Sequence, residues 1–91
     1  MIYRPIEDLT DATGESDPIV LNKVSGKDEQ TVQVSISAVA TVSVKGRLSQ
    51  TAPWEELVEI TADAIQPLAL VSYLKFDVSN NNGTVNVWVR A

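Results

Sequence analysis

The sequence contains neither cysteine nor histidine. Without cysteine, no disulfide can stabilise the fold and no thiolate can bind zinc. Without histidine, the chain also lacks the commonest general base and the commonest transition-metal ligand of proteins. We therefore expect no catalytic residues, no metal site and no cofactor, and we expect that the protein is not an enzyme.

The remaining polar residues do not form a recognisable catalytic motif. Serine and threonine side chains have no histidine or cysteine to activate them as nucleophiles. Glu55, Glu56 and Glu59 are more typical of a solvated turn than of a glycosidase carboxylate pair. The four glycines are dispersed, so that no phosphate-binding loop is present.

The charge balance and the lack of long apolar runs limit the partners. Twelve acidic residues against seven basic ones give a formal net charge of −5, which repels nucleic acid. No apolar run approaches the ~18 residues that a membrane span needs, and the first residues do not resemble a signal peptide. We expect a soluble protein made in the cytoplasm, with neither nucleic acid nor membrane as a partner.

The chain is short for a domain without disulfides or metal ions. Its 91 residues allow a fold that buries only a little over ~60% of the unfolded surface. Small β-domains of this kind often gain stability by burying a face against identical copies. The length therefore favours a homo-oligomer.

The stretch from Gln30 to Leu48 indicates the fold class. Apolar or small residues occupy every second position from Val32 to Val44, and mostly polar residues occupy the positions between them. This period of two is typical of a strand with one buried face. The run is longer than a usual strand of ~5–6 residues, so that it forms either one bent strand or two strands that meet near residues 35–38.

Residues 1–18 are predicted to form an extended N-terminal arm and an acidic loop. Arg4 precedes Pro5, and a residue before proline favours extended geometry. The apolar side chains of Ile2, Tyr3 and Ile6 need a surface, either the domain's own sheet, which we favour, or a neighbouring subunit. The acidic residues from position 7 onwards are interpreted as a solvated loop. A calcium site is the alternative, although the spacing is not that of an EF-hand.

Residues 19–91 are predicted to form a single β-domain. Residues 19–24 form its first strand, and residues 25–29 form a polar turn. Thr51 and Pro53 favour a helical turn, which is followed by a short strand through Val58 and Ile60. The predicted fold is all-β, a small antiparallel sandwich or barrel with at most one short helix.

The last twenty residues alternate again and suggest a hairpin. Residues 72–79 and 84–91 are predicted strands, and Asn80–Gly83 between them is a turn signal. In that hairpin Tyr73 and Trp88 share an outward face with Arg90, and aromatic residues beside arginine are typical of protein contacts. The alternative is that an element of the same subunit covers Trp88. For Trp54, the expected role is to plug one end of the sandwich.

Several segments together resemble small structural proteins of tailed bacteriophages. The resemblance covers about the last two-thirds of the chain and rests on three features. These are the strand Val42-Ser43-Val44-Lys45-Gly46-Arg47-Leu48, the following Ala52-Pro53-Trp54, and the terminal alternation that closes with Val87-Trp88-Val89-Arg90-Ala91.

The resemblance implies a virion component, most specifically a head decoration or cement protein. Such a protein would bind the major capsid protein as a homo-oligomer, with a trimer favoured. The predicted partner-binding residues are Ile2, Tyr3, Arg4, Ile6, Tyr73, Trp88 and Arg90. The alternatives are a ring subunit of the tail or connector, and a carbohydrate- or receptor-binding module of the tail in which Tyr73 and Trp88 form an aromatic platform.

Overall fold

A computed structural model describes residues 2–21, 29–69 and 71–91. These residues contain nine strands and no helix. The strands are β1 (Ile2–Thr10), β2 (Gly14–Glu15), β3 (Ile19–Val20), β4 (Glu29–Ile36), β5 (Thr41–Arg47), β6 (Glu55–Ile60), β7 (Ala64–Ala69), β8 (Tyr73–Ser79) and β9 (Thr84–Arg90).

The strands form two antiparallel sheets that pack as a small sandwich, which confirms the predicted fold class. Sheet 1 has the order β1-β9-β4-β7, and sheet 2 has the order β2-β8-β5-β6, with β3 also paired to β8. The core between them consists mainly of valine, together with the fully buried Phe76, Leu74 and Leu21. Residues on alternate positions of β5, β8 and β9 are buried, as a period of two requires.

The central stretch forms two strands rather than one bent strand. Val32 and Val34 of β4 face the core from sheet 1, and Val42 and Val44 of β5 face it from sheet 2. Residues 37–40 carry the chain from one sheet to the other. The inward row therefore continues across the crossing, with an interruption at residue 38, which is exposed.

The predicted C-terminal hairpin is wrong, although both of its strands and their buried faces are correct. Strand β8 pairs with β5 in sheet 2, and β9 pairs with β1 and β4 in sheet 1. Residues 80–83 are thus a second crossing between the sheets. Asn80 takes a positive φ of 51°, a conformation that asparagine tolerates better than most residues.

The N-terminal residues lie on the domain's own sheet, as β1 beside β9. Tyr3, Ile6 and Leu9 lie opposite the inward residues Val89, Val87 and Val85, although they are spaced three apart instead of two. One extra residue in each interval forms a β-bulge, and the second bulge contains Asp8 at φ 48°. The bulges keep this apolar row directed towards the core.

Three predicted segments differ from the structure in their type or their bounds. The helical turn near Thr51 is wrong, because residues 49–52 form a hydrogen-bonded turn in which the Ala52 amide donates to the Ser49 carbonyl at 3.3 Å. The strand predicted after it exists but begins earlier, at Glu55. Of the strand predicted over residues 19–24, Ile19 and Val20 form β3 and Leu21 lies outside a strand. Residues 22–28, with the rest of that strand and the predicted polar turn up to position 28, lie outside the described residues.

Candidate protein interaction site

The predicted partner-binding residues divide among three places in the fold. Ile2, Trp88 and Arg90 lie on the outer face of sheet 1, and Arg4 joins them there by contacting the Trp88 ring. Tyr3 and Ile6 belong to the inward row of β1, where Ile6 is buried, so that these two are packing residues. Tyr73 lies on sheet 2.

Tyr73 and Trp88 therefore do not form a shared aromatic platform. Their strands belong to different sheets, and both side chains occupy the outward rows of those strands. The carbohydrate-binding hypothesis depended on the two rings lying side by side. The fold removes that argument.

Two rows of paired residues cross the outer face of sheet 1. One row consists of Trp88, Gln33 and Ile65, and the other of Ile2, Arg90, Thr31 and Pro67. Neighbouring strands lie about 4.8 Å apart, so that Trp88 and Ile65 are separated by about 10 Å across β4. Neither row contains a carboxylate.

Exposed apolar side chains concentrate on these rows. Ile2 and Ile65 are each 68% exposed. Together with half-buried Trp88, they line a shallow concavity of about 330 Å³. We call Ile2, Ile65, Trp88 and Arg90 the sheet 1 patch.

Arg4 holds one side of the patch in place. Its guanidinium lies 5.1 Å from the centroid of the Trp88 ring, which is within cation–π range. The same group donates to the Asn86 side-chain oxygen at 2.7 Å, and that oxygen also accepts from the Asp8 amide at 2.9 Å. The alternative that the same subunit covers Trp88 thus holds in part, because Arg4 of β1 covers one side of the ring, while the ring also lines the concavity.

Arg90 is the free cation of the patch. Its side chain is exposed and makes no hydrogen bond or ion pair with any of the described residues. Arg4, in contrast, pairs with Glu7 at 3.5 Å. An apolar surface with one unpaired arginine suits a partner that offers both apolar and acidic groups.

Sheet 2 carries a different arrangement of aromatic rings and cations on its outer face. The Arg47 guanidinium lies 4.3 Å from the Trp54 ring centroid and 5.3 Å from that of Tyr73. The Lys75 ammonium lies 4.8 Å from the Trp54 ring on the same face. Trp54 therefore lies over the outer face of sheet 2 instead of plugging an end of the sandwich, and it fastens the β5–β6 connection to that sheet.

We expect the change Arg47→Met to lower the free energy of unfolding by about 1–2 kcal/mol, because it removes cation–π contacts with two rings. Urea denaturation followed by circular dichroism measures this change. Asp17→Asn is the control, since the exposed Asp17 side chain has no described partner and lies away from both rings, and it should stay within about 0.5 kcal/mol of the unaltered protein. Equal effects of the two changes would contradict the stabilising role of the stacked cation.

The described residues contain no group of three or more acidic side chains arranged to hold a metal ion. In the acidic segment, Glu15 pairs with Lys75 at 3.4 Å, and the backbone amide of Asp11 donates to the Gly83 carbonyl at 2.9 Å. No helix long and apolar enough to cross a membrane occurs in the described parts of the chain.

Comparisons with protein-family models, with curated proteins and with solved structures give no match for this chain.

Proposed function

We propose that this protein is a non-enzymatic structural subunit that assembles with copies of itself through the sheet 1 patch. The observation that carries this proposal is the exposure of two isoleucines beside Trp88 and an unpaired arginine on one sheet face. Clustered apolar side chains on a small domain mark interaction surfaces, and tryptophan and arginine are typical of contact centres.

The strand edges support a contact through a face rather than through an added strand. Two bulges and Pro5 interrupt β1, and Pro67 lies within edge strand β7. Edge strand β6 carries three glutamates, and β2 and β3 have only two residues each. Each of these features is a recognised obstacle to edge-to-edge pairing.

The resemblance to phage structural proteins makes a head decoration protein the specific form of this function. In that role a homo-oligomer, with a trimer favoured, would bind the major capsid protein in the virion. Many identical weak contacts across a lattice reinforce the shell by multivalency, without any bond-making chemistry. A ring subunit of the tail or connector is the closest variant, and the number of subunits in the ring distinguishes the two.

The change Ile65→Asp is expected to abolish self-association, because it replaces one of the two exposed isoleucines of the sheet 1 patch with a charge. Sedimentation velocity over a range of concentrations measures the association. The matched control is Val39→Asp, since Val39 is 59% exposed but lies in the crossing between β4 and β5, outside the patch. Loss of association in both variants, or in neither, would contradict the assignment of the interface to sheet 1.

The virion role has a separate test. Mass spectrometry of density-purified phage particles should find the protein in a fixed ratio to the major capsid protein, as lattice binding requires. Mild heating should release it before the shell breaks. Its absence from purified particles would overturn the decoration role and leave the self-assembly proposal standing.

A further inference from the structure

The sheet 1 patch has a chemical counterpart elsewhere on the same chain. Strand β6, at the edge of sheet 2, carries the exposed carboxylates of Glu55, Glu56 and Glu59. None of the three forms a hydrogen bond or an ion pair with another described residue. The chain thus presents an apolar surface with a free cation and, separately, a strand with free anions.

Strand β6 also presents an apolar group beside one of these anions. Val58 lies opposite Val44 and Glu56 lies opposite Lys45, so that Leu57 is the extra residue of a bulge. Leu57 is 38% exposed and lines a concavity together with Glu55, whereas Glu56 and Glu59 lie opposite the outward residues Lys45 and Ser43 of β5. An exposed leucine beside a carboxylate matches a surface in which isoleucine and tryptophan lie beside an arginine.

We propose that the sheet 1 patch of one copy binds the acidic strand β6 of a second copy. This inference rests on the proposed assembly function and names the two surfaces that meet. Because each copy uses two different surfaces, the contact is heterologous, and its repetition closes into a ring or continues as a filament. A trimer is one such closed ring.

A symmetric contact between two sheet 1 patches is less favourable. The two residue rows that cross the patch contain Arg90 and no carboxylate. A two-fold axis through the patch would bring two arginines into one interface without an opposing charge, and such a juxtaposition opposes binding. Two β6 strands are equally poor partners, because they would place glutamate against glutamate.

Charge reversal on each surface tests the proposal. The patch variant is Arg90→Glu, the strand variant combines Glu55→Lys with Glu59→Lys, and a third protein carries all three changes. Sedimentation velocity should show dissociation constants raised at least ~10-fold in the patch and strand variants, since each places like charges in the contact. The triple variant should recover most of the association, because its charges are again complementary.

Two further measurements complete the experiment. Asp17→Lys is the control. Asp17 is an exposed carboxylate that lies outside both surfaces and has no described partner, so that its change should leave association unaltered. Thermal unfolding should show that every variant is folded, because all the altered positions are exposed. Association of the unaltered protein should weaken with salt, as expected for an interface with opposite charges.

The possible failures are distinguishable. If Ile65→Asp disrupts the oligomer but the charge reversals do not, the patch pairs symmetrically or with another surface, and this inference is wrong while the assembly function holds. The same conclusion follows if the triple variant does not recover. A wild-type protein that stays monomeric at every concentration would overturn both proposals.

Discussion

Replacing Phe76 with alanine is expected to lower the free energy of unfolding by about 3–5 kcal/mol. Phe76 is the only phenylalanine of the chain and is completely buried in β8, where it lies opposite Val44 of β5. The change removes its apolar contacts and leaves a cavity between the sheets. A domain of this size is typically stable by only about 5–14 kcal/mol, so that the loss is a large part of the total.

Urea denaturation followed by far-ultraviolet circular dichroism measures the effect. Phe76→Leu should cost less than Phe76→Ala, since it retains most of the buried volume. Val39→Ala is the exposed control, because Val39 is 59% exposed, and it should stay within about 0.5 kcal/mol. A loss below about 1 kcal/mol for Phe76→Ala would mean that the core is not centred on this side chain.

The alternation of apolar and polar residues predicted the class and the buried faces correctly. The inward rows Val32–Val34, Val42–Val44 and Val85–Val89 follow directly from the period of two. A strand with one buried face needs this period whatever its neighbours are. Burial in these strands was therefore readable from the sequence alone.

The pairing of the strands was not readable in the same way. Alternation states which side of a strand is buried, and it does not state which strand lies beside it. A connection such as Asn80–Gly83 suits a hairpin, in which both strands share a sheet, and equally suits a crossing between two packed sheets. The hairpin prediction failed for this reason, and it also placed Tyr73 next to Trp88.

The inward row of β1 could not be recognised in the sequence for a different reason. Tyr3, Ile6 and Leu9 are spaced three apart, which is not a strand period. Two bulges convert this spacing into a continuous row opposite alternate residues of β9. Bulges depend on the neighbouring strand, so that packing of Tyr3 and Ile6 on the domain's own sheet could be favoured from their apolar character, but their place in one inward row could not be recognised.

The candidate site was predictable in part. Trp88 and Arg90 were identified because outward aromatic and arginine residues in a strand are typical of contacts. Ile65 was missed, since residues 64–71 do not alternate regularly between apolar and polar residues. Its place in the patch is seen only from the pairing of β7 with β4, which brings Ile65 into the same row as Trp88.

The change Asn81→Ala is expected to lower the free energy of unfolding by about 2–3 kcal/mol, because one half-buried side chain joins three backbone groups. Its amide nitrogen donates to the carbonyl oxygens of Leu9 and Ala12, both at 3.0 Å. Its side-chain oxygen accepts from the Gly83 amide at 3.0 Å. Asn81 thus connects the end of β1 to the crossing between β8 and β9, and its replacement by alanine removes all three bonds.

Two related changes separate this role from a general effect of asparagine in a turn. Asn82→Ala should cost less, because the exposed Asn82 side chain accepts one hydrogen bond, from the Val39 amide at 3.0 Å. Asn81→Asp should be at least as harmful as Asn81→Ala, since it keeps the acceptor for Gly83 but turns a carboxylate oxygen towards two carbonyl oxygens. Urea denaturation of the three variants ranks them, and a harmless Asn81→Asp would contradict the importance of the donated bonds. Asn81, which belongs to the turn signal that suggested a hairpin, instead joins the end of β1 to the crossing between the two sheets.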